Sequence, residues 1–135
     1  MVWTVLFDDR QAFNARVLAL AYEMRESDPE GVANTNIMGW QSKNILQQLE
    51  GFREVNDRIL AVCRQIGESQ NFAPDMQYRH QAWINISPPG ASNRIHIHPN
   101  SHLSGVYYVS LDATKCGSIF FRDPRAAATM MRPPI

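Results

Sequence analysis

Four histidines occur in this 135-residue chain, and two of them, His96 and His98, stand one residue apart in Arg94-Ile95-His96-Ile97-His98-Pro99. On an extended segment alternate side chains share a face, so His96 and His98 point one way and Ile95 and Ile97 the other. Two residues of strand span roughly 6–7 Å, which lets two imidazoles converge on one ion. Neutral imidazole is the commonest metal ligand among side chains. The same pattern also describes two solvated histidines, because a bare His-x-His has many chance occurrences. Pro99 ends the strand and Asn100-Ser101 makes a turn. The next run puts Leu103, Gly105, Tyr107 and Val109 on one face, and Ser104, Val106 and Tyr108 on the other.

Several classes of function lack support in the composition. Thirteen basic and thirteen acidic residues cancel, without a long run of either sign, so nothing favours nucleic acid or an anionic membrane. Cys63 and Cys116 lie far apart and form no ligand or redox motif, as expected of reduced thiols in a cytoplasmic protein. The apolar start Val2–Phe7 is too short for a signal sequence or a membrane span. The length suits a single domain spanning 1–135, with a mainly helical part over 1–70 and a β core over 75–125.

The elements that must position the histidines follow from periodicity. Val2–Phe7 reads as a short strand, and Asp8 or Asp9 as the cap of a helix. Phe13, Val17, Leu20, Ala21 and Met24 form the apolar stripe of that helix, which Asp28-Pro29 stops near Ser27. Residues 30–41 read as a loop. A second helix is expected from about Lys43 to Ser69, capped by Ser42, with Ile45, Leu49, Phe52, Ile59, Cys63 and Ile66 inward and Gly51 as a weak spot. Its solvated face is Gln47, Gln48, Arg53, Asp57 and Arg58.

From Asp75 the period becomes two. Met76, Tyr78, His80, Ala82, Ile84 and Ile86 share one face of a long strand, with His80 expected as a satisfied residue rather than a ligand. Ser87-Pro88-Pro89-Gly90 is a turn. The histidine strand, the 103–110 strand and a fourth strand at Ser118–Phe121 follow. Helices followed by successive antiparallel strands argue an α+β fold, the helices packed on part of a jelly-roll sheet.

Trp83-Ile84-Asn85-Ile86, Gly90, Asn93, His96-Ile97-His98-Pro99-Asn100-Ser101, Leu103-Ser104-Gly105-Val106-Tyr107-Tyr108-Val109 and Asp123-Pro124-Arg125 together resemble a family of 2-oxoglutarate/iron(II)-dependent oxygenases found largely in marine bacteria and phages. Gly39-Trp40-Gln41-Ser42 resembles its N-terminal pattern. The resemblance implies a double-stranded β-helix holding Fe(II), with His96 and His98 as metal ligands. It places Tyr108, with Asn93 and Ser104, toward 2-oxoglutarate. His98 falls where the wider superfamily usually has a carboxylate, so a neutral ligand replaces an anionic one. The superfamily's later His and Arg have no counterpart before Ile135. His80, His102, Arg125 and Arg132 do not stand in their places, so the expectation is a C-terminally truncated fold. The activity implied is oxidation of an unidentified small-molecule or protein substrate coupled to decarboxylation of 2-oxoglutarate. The alternatives are a non-catalytic cupin-like module that binds a ligand or partner, and a jelly-roll metal enzyme that does not use 2-oxoglutarate. A sheet cut short leaves open edges, so a homo-oligomer is expected.

Overall fold

The computed structural model describes residues 1–112 and 114–122. The described chain is mixed α+β. Helix α1 spans Arg10–Ser27, strand β1 Asn36–Ile37, β2 Trp40–Gln41, helix α2 Arg53–Ser69, β3 Asn85–Ile86 and β4 Ser92–Asn93. Two short 3-10 turns, Leu46–Gln48 and Glu50–Phe52, lead into α2. Among the described residues no helix is long and apolar enough to cross a membrane.

The apolar stripe of α1 is the one its spacing dictates. Phe13, Val17 and Ala21 are buried, while Leu20 and Met24 pack against the same core. The helix ends where Pro29 disfavours a helical Asp28. Met24 O accepts from both the Asp28 N–H and the Ser27 hydroxyl. Asp9 does occupy the cap position, but its carboxylate makes no cap bond and turns instead to Arg58. Val2–Phe7 joins no ladder among the described residues; Phe7 packs edge-on against Phe13 at 6.0 Å.

The expected helix over 43–69 starts ten residues late. Ser42 N–H donates to Ile84 O at 2.9 Å and Leu46 N–H to Ala82 O at 3.3 Å, so this stretch is committed to pairing with 82–84. Leu49 is extended, at φ −95° and ψ 123°. The Leu46 carbonyl accepts from the Asn56 amide at 2.8 Å, which ties the corner to α2. Leu46, rather than Ile45, is the buried residue here. Ser42 caps no helix: its hydroxyl accepts the Ile84 N–H at 3.0 Å.

Residues 30–41, expected as a loop, supply two strands. β1 pairs antiparallel with β4, Asn36 opposite Asn93 and Ile37 opposite Ser92. β2 pairs antiparallel with β3, Trp40 opposite Ile86 and Gln41 opposite Asn85. The Arg94 N–H to Thr35 O bond, 2.8 Å, extends the first ladder, and the bonds from Ser42 and Leu46 extend the second. Together they make one interrupted antiparallel ribbon, 35–46 against 82–94. The turn at 87–90 forms as expected, with Ala91 N–H on Pro88 O and Gly90 at φ +85°. Gly31 braces the other side. Its φ is +58°, and an added Cβ would lie 2.3 Å from Gln41 O, so only glycine fits.

The remaining strand expectations are corrected. Of the long strand from Asp75, only Asn85–Ile86 is a regular strand, with single backbone bonds at Ile84 and Ala82 extending its pairing. Tyr78, His80, Ala82, Ile84 and Ile86 nevertheless stay half-buried as the period requires. Past Arg94, segments 95–98, 103–110 and 118–121 join no ladder among the described residues. Burial still alternates in the second of them: Leu103, Tyr107 and Val109 turn inward, while Ser104, Val106 and Tyr108 face out. Tyr107 and Val109 reach the core formed by Phe13, Val17, Leu46, Phe52 and Val55. The Tyr107 hydroxyl donates to Asn14 Oδ1, and the Asn14 amide donates to Val109 O at 2.8 Å.

Candidate metal centre

The histidine segment begins where the ribbon ends. Arg94 makes the last ribbon bond, and the chain continues exposed through His96 and His98. Ile95 and Ile97, on the opposite face, are also exposed, at 84% and 82%. The two imidazoles come together as their spacing requires: the ring centroids lie 4.8 Å apart with planes at 84°. Asn100 takes a positive φ of 61° and Ser101 N–H reaches back to His98 O. The expected turn therefore closes the segment.

His96 Nδ1 lies 2.7 Å from the Arg94 carbonyl oxygen. A carbonyl can only accept, so Nδ1 carries the proton and Nε2 keeps its lone pair. This is the arrangement in which a ligating histidine has its tautomer fixed by a backbone acceptor. The pair therefore offers two imidazoles to an ion, His96 through Nε2. A facial iron set adds a carboxylate. Among the described residues no group of three His, Cys, Asp or Glu stands close enough to hold an ion. Asp123, Arg125 and Arg132 lie outside the described residues.

The other histidines are placed elsewhere. His80 is half-buried with Nε2 2.9 Å from Asn56 Oδ1, and burial lowers its pKa. It is a satisfied packing residue, as its lone position on an apolar face suggested. His102 is exposed in the turn region. Asp112 is occupied locally. It accepts from the Thr114 N–H and hydroxyl at 3.0 and 2.6 Å, and these bonds, with Lys115, hold its carboxyl below the usual value.

Of the residues expected near a cosubstrate, Asn93 sits in β4 with Oδ1 3.4 Å from the Thr35 hydroxyl. Tyr108 and Ser104 are both exposed. Trp83 falls on the strand face opposite Ala82 and Ile84, and its position in the sequence gave it no role. Its ring lies 5.6 Å from that of His98, tilted by 42°. The signal was present, since an indole among Gln77, Arg79, Gln81 and Asn85 has no core to fill and needs another partner.

No curated protein and no solved structure matches the chain. Residues 81–135 match the model of a family described as "Putative 2OG-Fe(II) oxygenase". The matched stretch takes in Trp83, Asn93, His96, His98, Ser104 and Tyr108 and leaves out both helices.

Proposed function

We propose that this chain contributes the histidine pair of a non-haem Fe(II) oxygenase that consumes 2-oxoglutarate. The observation that carries the reading is the meeting of two imidazoles, 4.8 Å apart, inside the family-matched stretch. In this reading His96 binds through Nε2, because Nδ1 is committed to Arg94 O, and His98 supplies the second nitrogen. Iron(II) with 2-oxoglutarate supplies oxidative decarboxylation to succinate and CO2, coupled to oxidation of a substrate C–H bond. Tyr108, Asn93 and Ser104 are assigned to the cosubstrate side. Their hydroxyl and amide groups can hydrogen-bond a carboxylate, and the exposure of Tyr108 and Ser104 leaves both free to do so. In this reading the stretches 94–98, 103–109 and 118–121 serve as strands of a double-stranded β-helix.

Titration calorimetry with Mn(II), with and without 2-oxoglutarate, tests this reading. Wild type and His80→Ala should bind Mn(II) with similar affinity, His96→Ala should lose binding, and 2-oxoglutarate should strengthen the wild-type interaction. Equal affinity in wild type and His96→Ala would remove the metal assignment. Metal binding indifferent to 2-oxoglutarate would remove the cosubstrate.

A further inference from the structure

Each imidazole of the pair is held by something different. His96 is fixed through Nδ1 by the Arg94 carbonyl at 2.7 Å. His98 has no side-chain hydrogen bond among the described residues, and its ring meets two others, His96 at 4.8 Å and Trp83 at 5.6 Å. Past Arg94, the segment that carries both histidines is exposed and joins no ladder among the described residues, so no sheet partner fixes the place of His98.

Trp83 is placed very differently. Its neighbours Ala82 and Ile84 are bonded to Leu46 and Ser42 across the ribbon, and both pack against the core. The period of two that turns Ala82 and Ile84 inward turns Trp83 outward, onto the face where His98 arrives. The indole is half-buried. It is thus a platform seated on the hydrogen-bonded ribbon, beside a side chain whose other ring neighbour is His96.

We propose that Trp83 is the positioning residue of the metal pair, holding the His98 imidazole against the ribbon so that it meets His96 ready to share one ion. The proposal rests on the metal reading above, but the contact itself is present without metal. A chelating pair gains affinity when its donors are ordered before the ion arrives, because the side-chain ordering is then not charged against binding. Residues that orient ligands from behind commonly change metal affinity by about 10–100-fold. The contact is ring against ring, with no hydrogen bond from the indole N–H to His98 among the described residues, so Trp83 does not occupy an imidazole lone pair that would face the metal.

The test pairs an affinity with a metal-free readout. Trp83→Leu should weaken Mn(II) binding about tenfold, and Trp83→Phe, which keeps an aromatic face, should recover most of the loss. In the metal-free protein, the ring-proton NMR shifts of His98 should move in Trp83→Leu as the indole ring current disappears, while those of His102 stay. Wild-type affinity together with unmoved His98 shifts in Trp83→Leu would overturn the proposal. So would an affinity loss that Trp83→Phe fails to recover, since that loss would come from general loosening of the fold. If Trp83→Leu does not fold, a nuclear Overhauser contact between the Trp83 and His98 rings in the wild type decides the matter, and its absence overturns the assignment. If wild type binds no Mn(II), the metal reading falls and the positioning role of Trp83 falls with it, even where the NMR arm shows the ring contact to exist.

Discussion

Two residues show how the same side-chain type acquires different duties from its surroundings. His96 keeps Nε2 free because a carbonyl takes its other nitrogen. His80 spends Nε2 on Asn56, whose own amide is committed to Leu46 O. With the Asn56 amide donating to Leu46, its Oδ1 faces His80, so His80 Nε2 carries the proton. Burial opposes charge on His80 and lowers its pKa from the ordinary 6.5. The folded state therefore binds fewer protons than the unfolded state between the lowered value and 6.5. Stability must fall as pH drops through that window and be fully retained above it. Urea denaturation at stepped pH should show this loss in wild type, and His80→Gln should flatten it. An unchanged pH slope in the variant would place the effect elsewhere. Arg58 offers a parallel. It reads as one more cation on a solvated helix face, yet it lies 4.0 Å over the Phe13 ring and 4.9 Å over Phe7, and binds Asp9 and Glu54. Those two carboxylates raise its pKa, and Arg58 in turn holds Asp9 below the usual carboxylate range.

At the scale of elements, the decisive joint is the corner between the ribbon and α2. Asn56 is buried on α2, and its side chain touches the two neighbours that α2 must dock against. It donates to Leu46 O at 2.8 Å, and it meets His80 Nε2 at 2.9 Å. Asn56→Ala leaves the Leu46 carbonyl without this donor and the His80 ring nitrogen unpartnered. The cost should be about 1–3 kcal/mol by chemical denaturation. Asn56→Asp keeps the acceptor for His80 but loses the donor to Leu46, so it should recover only part of that loss. A neutral effect of Asn56→Ala would show that the corner is held by the packing of Leu46 and Phe52 alone.

At the scale of the molecule, the packing is lopsided. The core lies between α1, α2 and the inward face of 82–84, with Tyr107 and Val109 closing it. Beyond the ribbon, Ile95, Ile97, Val106, Tyr108, Leu111, Ile119, Phe120 and Phe121 all stand exposed, Phe120 at 88%. Eight such side chains represent apolar area on the order of 1,000 Å², comparable to one side of a standard interface of about 800 Å² per partner. The net formal charge is zero, so copies of the chain do not repel one another. Exposed main-chain edges add a reason to pair. Self-association is therefore the expected outcome, read as a mass above that of the monomer in sedimentation equilibrium at high micromolar concentration. Phe120→Glu with Ile97→Lys should return the monomer. A monomeric wild type would contradict this expectation.

The parts of the molecule legible in the chain alone are those that local periodicity and local chemistry control. The stripe Phe13, Val17, Leu20, Ala21 and Met24 set α1, and Asp28-Pro29 set its end. The alternation from Tyr78 to Ile86 set which side chains turn inward, and the one-residue spacing of His96 and His98 set their shared face. Everything else waited on long-range contacts, because a backbone hydrogen bond is satisfied by whichever partner the fold supplies. Residues 43–49 carry helical spacing but pair with 82–84, and Leu49 turns extended so that Leu46 can be buried. Asn36–Ile37 and Trp40–Gln41 look like loop until strands more than forty residues away give them partners. Segments 95–98, 103–110 and 118–121 carry strand-like residues, yet no ladder forms on them among the described residues, since a strand needs a neighbour that composition cannot provide. Trp83 beside His98 belongs to the same class of fact: local alternation sets which way the indole points, and only the return of the chain after the 87–90 turn decides what it meets.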